Sequence, residues 1–342
     1  MTFFASEFNI ADRKVGETHP CLIIGEAGIN HFGSLEKAFA LVDLAVSAAA
    51  DIVKFQHFRT DALVGEDALD WRDRLRSKEL SDDDMLRIRD YCDKQKIVFM
   101  CTGHDEESLD FLDKVADVPA FKIGSGEVKN WPSLKGIACR GKPMVLSTGM
   151  YTMDDIEKAL NAIEEGGCNK LAVLHCITAY PSPPEDINLA VMAQIQAIFP
   201  GPIGYSDHTT GTAVPLAAVA QGATIIEKHI TIDRDVPNAQ DWKVSCDPSN
   251  FANFVRDIRE IEAALGGNKK LLSEREHQSI IWARKSLHAA SNIPAGTVIA
   301  KNMLLAQRPG DGIAPSEINE VVGKTANADI ASGTKIENSW LS

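Results

Sequence analysis

The chain has 342 residues, of which 44% are hydrophobic and 24% charged, a balance that excludes an intrinsically disordered protein and leaves material for a large core. Its 35 basic and 48 acidic residues give a formal net charge of −13, so we expect no binding to nucleic acid or to an anionic membrane surface, because the field repels phosphate. A small anionic ligand would therefore require positive charge concentrated at one place.

The seven cysteines are scattered along the chain and form no C-x-x-C pair, which argues against a zinc ribbon or a disulfide framework. The first residues, MTFFASEFNIADRKVGE, lack the apolar run of a secretory signal. No segment approaches the roughly 20 apolar residues of a membrane span. We therefore expect a cytoplasmic protein with no membrane association.

Eight short apolar runs recur along the chain, and each is followed by a polar residue or a glycine, as is typical of buried parallel strands. In chain order they are CLIIGEAG from Cys21, DIVKFQ from Asp51, IVFMCTG from Ile97, AFKIGSG from Ala120, PMVLSTG from Pro143, LAVLHCIT from Leu171, PIGYSDH from Pro202 and ATIIEKHI from Ala223. Stretches with helical periodicity lie between them at residues 35–49, 81–93, 105–114, 153–165 and 212–221. Three of these follow an N-capping residue, namely Ser34, Ser81 and Thr152.

Eight strand–helix units in series predict an α/β fold, a (β/α)8 TIM barrel over residues 1–270. An open doubly wound sheet also alternates strands and helices, and it is the alternative. The barrel is favoured because no G-x-G-x-x-G follows the first strand and because polar residues collect at the ends of all eight strands.

The composition changes after about Gly266. Residues 271–284 are predicted to form a polar connector, helical from about Ser273, and residues 285–342 a small, mostly β domain. The last segment contains five basic and five acidic residues, so the whole negative excess falls on the barrel portion.

Two lysines interrupt apolar runs, Lys54 in VKF and Lys122 in FKI. A lysine at a strand end is most often a solvated rim residue. Here the side chains would lie within or beside the barrel, where an unpaired ammonium is costly and a bound anion would offset that cost. Together with the hydroxyls of Thr102, Ser125 and Ser147, the two lysines predict a site for phosphate and carboxylate.

Two histidines close the adjacent seventh and eighth strands, His208 and His229, and could reach one metal ion. With only two protein ligands, water and substrate oxygens would complete the shell, which favours Mn²⁺ or Mg²⁺ over a structural zinc. His175 lies inside an apolar run and is predicted to be packed. Surface or connector positions are predicted for His19, His57, His277 and His288.

Eight motifs, in this order, resemble the sialic acid synthase family: GEAGINHFG, VKFQHF, CTGHDEESLDFL, KIGSGEVKN, LSTGM, YPSPPEDINL, GYSDHTTGT and TIIEKHIT. The tail, with RPGDGI and VVGKTANADIASGTKI, resembles the family's antifreeze-like domain, a small β-clip module also called SAF. The resemblance covers nearly the whole chain.

The resemblance implies an N-acetylneuraminate synthase-like transferase that condenses phosphoenolpyruvate with an N-acylated amino-hexose, using a divalent metal that is usually manganese. Proton transfer is implied for Glu26, metal ligation for His208 and His229, and an arginine reaching the partner subunit's site, in a domain-swapped homodimer, for Arg308. Phosphoenolpyruvate contacts are implied for Lys54, Thr102, Lys122, Ser125, Ser147 and Ser206. Positions around the sugar are implied for Gln56, Glu127, Tyr180 and Asp241.

Two positions depart from the family's pattern, both on the sugar side. The segment after the eighth strand reads PNAQDW (residues 237–242), and Thr178 stands where an asparagine is common. Acceptor identity therefore stays open among N-acetylmannosamine, precursors of legionaminic or pseudaminic acid and other hexose derivatives.

Two other functions are alternatives to the synthase. One is a Schiff-base aldolase with Lys54, Lys122 or Lys228 as the nucleophile. The other is a non-catalytic sugar-phosphate sensor, which would be indicated by loss of Glu26 or of the histidine pair, and neither is lost.

Overall fold

The structure, a computed structural model, describes residues 3–237, 239–267 and 269–342. The chain divides into two compact units, one ending at Gly266 and one beginning at Gly267. In the part of the chain that the structure describes, no helix is long and apolar enough to cross a membrane.

The first unit is a closed barrel of eight parallel strands, which confirms the predicted fold and excludes the open sheet. A short antiparallel hairpin, β1 and β2, precedes the barrel, and its apolar side chains pack with residues of the barrel strands. The strands are β1 (Phe8–Ile10), β2 (Arg13–Val15), β3 (Leu22–Gly28), β4 (Ile52–His57), β5 (Val98–Gly103), β6 (Phe121–Ile123), β7 (Met144–Ser147), β8 (Leu171–Cys176), β9 (Ile203–Asp207) and β10 (Ile225–His229).

The barrel is closed by the pairing of β10 with β3, and the register of that pair matters for the site. His229 lies opposite Glu26, and Glu26 lies opposite Lys54 on β4. On the other side of β10, Glu227 lies opposite Ser206 of β9. Parallel pairing therefore places these polar side chains at one end of the barrel, where TIM barrels carry their active sites.

Helices surround the barrel, and the five predicted ones are present. Ser34, Ser81 and Thr152 each accept a hydrogen bond from the first turn of their helix, as predicted. Five further helices lie outside those five stretches, and three of them, α6 (Trp131–Ala138), α8 (Val191–Ile198) and α10 (Phe251–Leu265), complete the strand–helix alternation. Among the described residues of the first unit, the helices are α1 (Leu35–Ser47), α2 (Thr60–Leu63), α3 (Leu69–Arg76), α4 (Asp82–Gln95), α5 (Glu106–Lys114), α6 (Trp131–Ala138), α7 (Met153–Glu165), α8 (Val191–Ile198), α9 (Ala213–Ala220) and α10 (Phe251–Leu265).

The second unit begins with a helix and continues as a small, mostly irregular β domain. Ser273 caps α11 (Glu274–Ala283) in a capping box with Glu276. Two strands, β11 (Ser286–Ala289) and β12 (Leu304–Gln307), pair antiparallel, and α12 (Ile318–Val321) follows. The unit has its own apolar core, which includes Leu287, Ile293, Ile299, Val321, Ala326, Ile330 and Ile336.

Two histidines that were predicted at surface or connector positions are buried. His57 is 2% exposed, and its Nε2 lies 2.8 Å from Oδ1 of Asp82. Because side chains alternate along β4, His57 shares the helix-facing side with Phe55, where the first turn of α4 meets it. His288, on β11, is also buried and contacts the backbone carbonyl of Ser286. His175 is packed, as predicted.

Candidate active site

A cavity of about 480 Å³ opens among the loops that follow the barrel strands. Thirteen of the fifteen predicted site residues line it: Glu26, Lys54, Gln56, Thr102, Lys122, Ser125, Ser147, Thr178, Tyr180, Ser206, His208, His229 and Asp241. These residues come from segments up to about 215 positions apart, so it is the closed barrel that brings them together.

Four charged side chains form a buried cluster at the base of the cavity. Nζ of Lys54 lies 2.8 Å from Oε2 of Glu26 and 3.6 Å from Oε2 of Glu227. Nζ of Lys122 lies 3.7 Å from Oε1 of Glu227, which also accepts a 2.7 Å hydrogen bond from Ser206. Glu227 was missed by the sequence analysis, although a carboxylate within the run IIEKH carries the same signal as the two lysines.

Burial and charge act differently on the two lysines. Burial opposes both ammonium groups, but the carboxylates of Glu227 and Glu26 outweigh it at Lys54 and raise the pKa of that lysine. At Lys122 burial prevails over the attraction of Glu227, and the pKa is lowered. A bound anion would therefore stabilise the charge of Lys122 most.

Burial and charge also shift the pKa values of Glu26 and Glu227 in opposite directions. Burial raises the pKa of Glu26, against the opposing charge of Lys54. Burial also opposes ionisation of Glu227, but the ammonium groups of Lys122 and Lys54 prevail and hold the pKa of Glu227 well below its usual range. Glu227 is thus the permanent counter-charge, and Glu26 is the carboxyl suited to exchanging a proton.

Hydroxyl groups line the cavity beside the lysines. Lys54 donates to Oγ1 of Thr102 at 3.3 Å, and Lys122 donates to Oγ of Ser147 at 2.7 Å and to the carbonyl of Ile123 at 3.1 Å. The hydroxyl hydrogens of Thr102 and Ser147 remain available to an anion in the cavity.

Two glycines lie against polar groups of the cavity wall. A Cβ on Gly149 would lie 2.1 Å from Oγ1 of Thr178 and 2.8 Å from Oγ of Ser125, so a larger residue there would displace these two hydroxyls. Gly28 has φ +52°, and a Cβ on it would lie 3.1 Å from Oε1 of Glu26. The same position is 3.4 Å from Nε2 of Gln56 and 3.6 Å from Oδ2 of Asp241, so three polar groups of different strands and loops converge on one space.

The rings of His208 and His229 lie with their centroids 5.4 Å apart. Nδ1 of His208 is 2.6 Å from the carbonyl oxygen of Ile177, which fixes the proton on that nitrogen and leaves the Nε2 lone pair toward the hydroxyl of Tyr180, 2.9 Å away. Nδ1 of His229 is buried and has no hydrogen-bond partner among the described residues. Burial lowers the pKa of both rings, so both are neutral.

Neutral imidazole is the form that binds a metal ion, so the pair fits a divalent cation. Within residues 3–237, 239–267 and 269–342, no third histidine, cysteine, aspartate or glutamate joins them in a ligand cluster. Water or substrate oxygens would therefore have to complete the shell.

A fully buried ion pair lies behind the two histidines. Nζ of Lys228 is 2.5 Å from Oδ2 of Asp207 and donates to the carbonyl of Thr209 at 2.7 Å. Asp207 also accepts hydrogen bonds from Tyr205 and from the backbone and side chain of Thr209. Lys228 does not line the cavity, which removes it as a candidate nucleophile.

Two predicted site residues lie elsewhere in the structure. Glu127, in the turn after β6, accepts a 2.7 Å hydrogen bond from Asn130 and does not line the cavity. Arg308 belongs to the second unit, where its guanidinium carbon lies 5.9 Å from the ring centroid of Trp282. In the 237–242 loop, Asn238 lies outside the described residues, and Asp241 and Gln240 line the cavity.

The cavity also contains residues that the sequence analysis did not single out. Asn30 and His104 line it from the loops after β3 and β5, and α3 with the residues that follow it contributes Trp71, Arg74, Leu75 and Lys78. Helix α3 buries none of its side chains, so it lacks the apolar face that would have revealed it.

Both units of the chain match known protein families. Residues 41–270 match the model of the NeuB family, and residues 284–339 match the SAF domain. N,N'-diacetyllegionaminic acid synthase of Legionella pneumophila is 37% identical over 94% of each chain. Human N-acetylneuraminate-9-phosphate synthase is 37% identical over 91% of this chain and 90% of the human one.

A solved structure of similar architecture is the N-acetylneuraminic acid synthetase of Leptospira borgpetersenii in complex with citrate. It has a TM-score of 0.75 and 32% identity, and the match covers 80% of this chain and 95% of that one. The family model spans well over half of the chain, and relatives more than 30% identical extend along nearly all of it. This protein therefore belongs to the NeuB family of synthases and carries a C-terminal SAF domain.

Proposed function

We propose that the protein condenses phosphoenolpyruvate with the open-chain aldehyde of an N-acylated amino-hexose, forming a sialic-acid-type 2-keto-3-deoxy nonulosonic acid and phosphate. The observation that carries the proposal is the buried cluster of Lys54, Lys122, Glu26 and Glu227 beside the His208–His229 pair. The names of the relatives, which are synthases of legionaminic acid and of N-acetylneuraminate 9-phosphate, support it.

Phosphoenolpyruvate would bind at the base of the cavity with its anionic groups on the two lysines. The carboxylate of Glu227 lies 3.7 Å from Nζ of Lys122, too far for a hydrogen bond, so an incoming phosphate or carboxylate becomes the main counter-charge of Lys122. Ser147 and Thr102 then donate their hydroxyl hydrogens to the same anion. Binding thus replaces an unfavourable buried charge by a paired one.

In the reaction, the methylene carbon of phosphoenolpyruvate forms a bond with the aldehyde carbon, the carbonyl π bond opens, and its oxygen takes up a proton to become a hydroxyl. Positive charge develops at the central carbon of phosphoenolpyruvate. Water adds there, and the tetrahedral species expels phosphate by carbon–oxygen cleavage. Glu26 would accept the proton of that water, because its carboxyl sits 2.8 Å from Lys54 and its raised pKa suits proton exchange. Holding the two reactants together supplies much of the rate.

A divalent cation, Mn²⁺ or Mg²⁺, would be held by His208 and His229 and would supply Lewis-acid polarisation of the acceptor aldehyde. In the structure the hydroxyl of Tyr180 is hydrogen-bonded to Nε2 of His208. With a cation on that nitrogen, Tyr180 would turn its hydroxyl toward the sugar. Gln56 and Asp241, which converge over Gly28, and Thr178 would bind the sugar's polar groups.

The experiment that tests the proposal is an acceptor screen. The protein is incubated with phosphoenolpyruvate, Mn²⁺ and either N-acetylmannosamine or the precursors of legionaminic and pseudaminic acids, and phosphate release is measured. Release that depends on one acceptor is expected. Lys122→Met should lose it, and Lys158→Met, which breaks an exposed pair with Asp154, should not. No acceptor-dependent release with any sugar would contradict the proposal.

We also propose that Arg308 reaches the barrel of the partner subunit in a domain-swapped homodimer. Complementation tests it: mixed dimers of an Arg308→Ala chain and a His229→Ala chain contain one barrel with both His229 and a partner's Arg308. Activity should therefore reappear on mixing two inactive variants. If the mixture stays as inactive as its components, the swap is refuted.

A Schiff-base aldolase remains the second candidate because burial lowers the pKa of Lys122, as amine nucleophiles require. Borohydride reduction in the presence of substrate distinguishes the two. A covalent adduct on Lys122 would favour the aldolase, and dependence on metal and phosphoenolpyruvate without an adduct favours the synthase.

A further inference from the structure

His104 follows β5 and lies in the cavity wall, two residues after Thr102. Its backbone N–H donates to the carbonyl of His57 at 3.1 Å, and Asp105 begins the next helix as its N-cap, so the loop is held on both sides. The ring packs edge-on to Phe58, with centroids 6.4 Å apart.

The His104 ring also approaches the loop after β6. Its Cε1 atom, which lies between the two ring nitrogens, is 3.9 Å from the position a Cβ would take on Gly124. Gly124 also lines the cavity, and it is followed by Ser125. His104 therefore belongs to the part of the wall formed by Thr102 and Ser125, beside the two lysines.

Neither ring nitrogen of His104 has a hydrogen-bond partner among the residues that the structure describes. The charged groups whose fields act on the ring are Lys54 from β4, Lys122 from β6 and Asp105 from its own loop. Burial, with the ammonium groups of Lys54 and Lys122 and against the carboxylate of Asp105, lowers the pKa of His104 to about 4. In the ligand-free site the ring is thus neutral, and both of its nitrogens are available for a hydrogen bond to a ligand.

We propose that His104 is a further binding residue for the phosphate group of phosphoenolpyruvate, which takes up a proton from solvent when the phosphate enters and donates a charge-assisted hydrogen bond to it. This inference rests on the proposed function. A phosphate dianion beside the two lysines reverses the local field and offers the ring the acceptor that it lacks. No covalent bond changes, and the proton returns to solvent when the anion leaves.

Calorimetric titration with phosphoenolpyruvate, and separately with inorganic phosphate, tests the inference in two buffers of different ionisation enthalpy. The variants are His104→Gln, which keeps a neutral donor, and His104→Phe, which keeps the contact with Phe58. His19→Gln is the matched control, because His19 lies near the opposite end of the barrel and pairs with Glu7. Proton counts are compared between variants because phosphate itself titrates near pH 6.

The wild-type protein should bind more protons per phosphoenolpyruvate than either variant at pH 7. The Kd should rise about tenfold or more for His104→Phe and by less for His104→Gln, and it should be unchanged for His19→Gln. Equal proton uptake and equal Kd in His104→Phe and wild type would overturn the role of His104 alone. Failure of the wild type to bind either anion would overturn the proposed function as well.

Discussion

Replacing Asp207 by Asn should destabilise the barrel far more than a surface charge change. Asp207 and Lys228 are 0% and 1% exposed, their charged atoms are 2.5 Å apart, and Asp207 accepts further hydrogen bonds from Tyr205 and Thr209. The variant removes the negative charge and leaves the ammonium of Lys228 buried among neutral oxygen acceptors, the carbonyl of Thr209 and the amide of the new asparagine. Breaking a buried ion pair from one side costs about 3–5 kcal/mol, and we expect that loss.

The assay is urea unfolding followed by far-ultraviolet circular dichroism, with the transition of the first unit analysed separately because two units need not unfold together. Asp154→Asn is the matched control, because it breaks only an exposed pair with Lys158 and should change the free energy of unfolding far less. The double variant Asp207→Asn/Lys228→Met should regain much of the loss, since no buried charge remains. The reasoning is refuted if Asp207→Asn matches Asp154→Asn, or if the double variant is no more stable than the single one.

Three other predictions concern the histidine pair, the C-terminal domain and Glu227. Replacing His208 or His229 by Ala should abolish metal-dependent phosphate release while circular dichroism stays unchanged; wild-type turnover in metal-free buffer would count against the ligand assignment. Deleting the residues after Arg284 should eliminate synthesis; an active truncated barrel would make Arg308 dispensable. Glu227→Gln should lower the free energy of unfolding in urea at pH 6. The difference between wild type and variant should narrow on acidification. The folded-state pKa of Glu227 is depressed, so its contribution is complete above the ordinary value of 4.5 and declines as the pH falls below it. A difference in unfolding free energy that widens toward pH 3.5 would contradict the stabilising role of the Glu227 carboxylate.

Much of the barrel was predictable because buried parallel strands are continuous apolar runs. A polar residue within such a run indicates a buried partner or a binding site. That logic identified Lys54 and Lys122, and thirteen of the predicted site residues line one cavity. The same logic applied to IIEKH would have identified Glu227. The sequence cannot say that Glu227 pairs with both lysines, because that depends on closure of β10 against β3.

Features set by contacts between distant elements were not predictable. His57 was assigned to a surface or connector position, and it is buried because the first turn of α4 supplies Asp82 as a partner. His104 gave no sequence signal, since only the fold brings it beside Lys54 and Lys122. Helix α3 borders the cavity without burying a side chain, so neither its existence nor the position of Trp71 could be read from periodicity.

The most direct test of the central claim uses phosphoenolpyruvate labelled with ¹⁸O in its bridging oxygen, together with the acceptor that supports turnover. If the two lysines hold phosphoenolpyruvate for attack by its methylene carbon and water adds to its central carbon, the label leaves in the phosphate and the keto oxygen of the product comes from water. Mass spectrometry of both products measures this. Retention of the label in the keto acid, with unlabelled phosphate, would contradict the account.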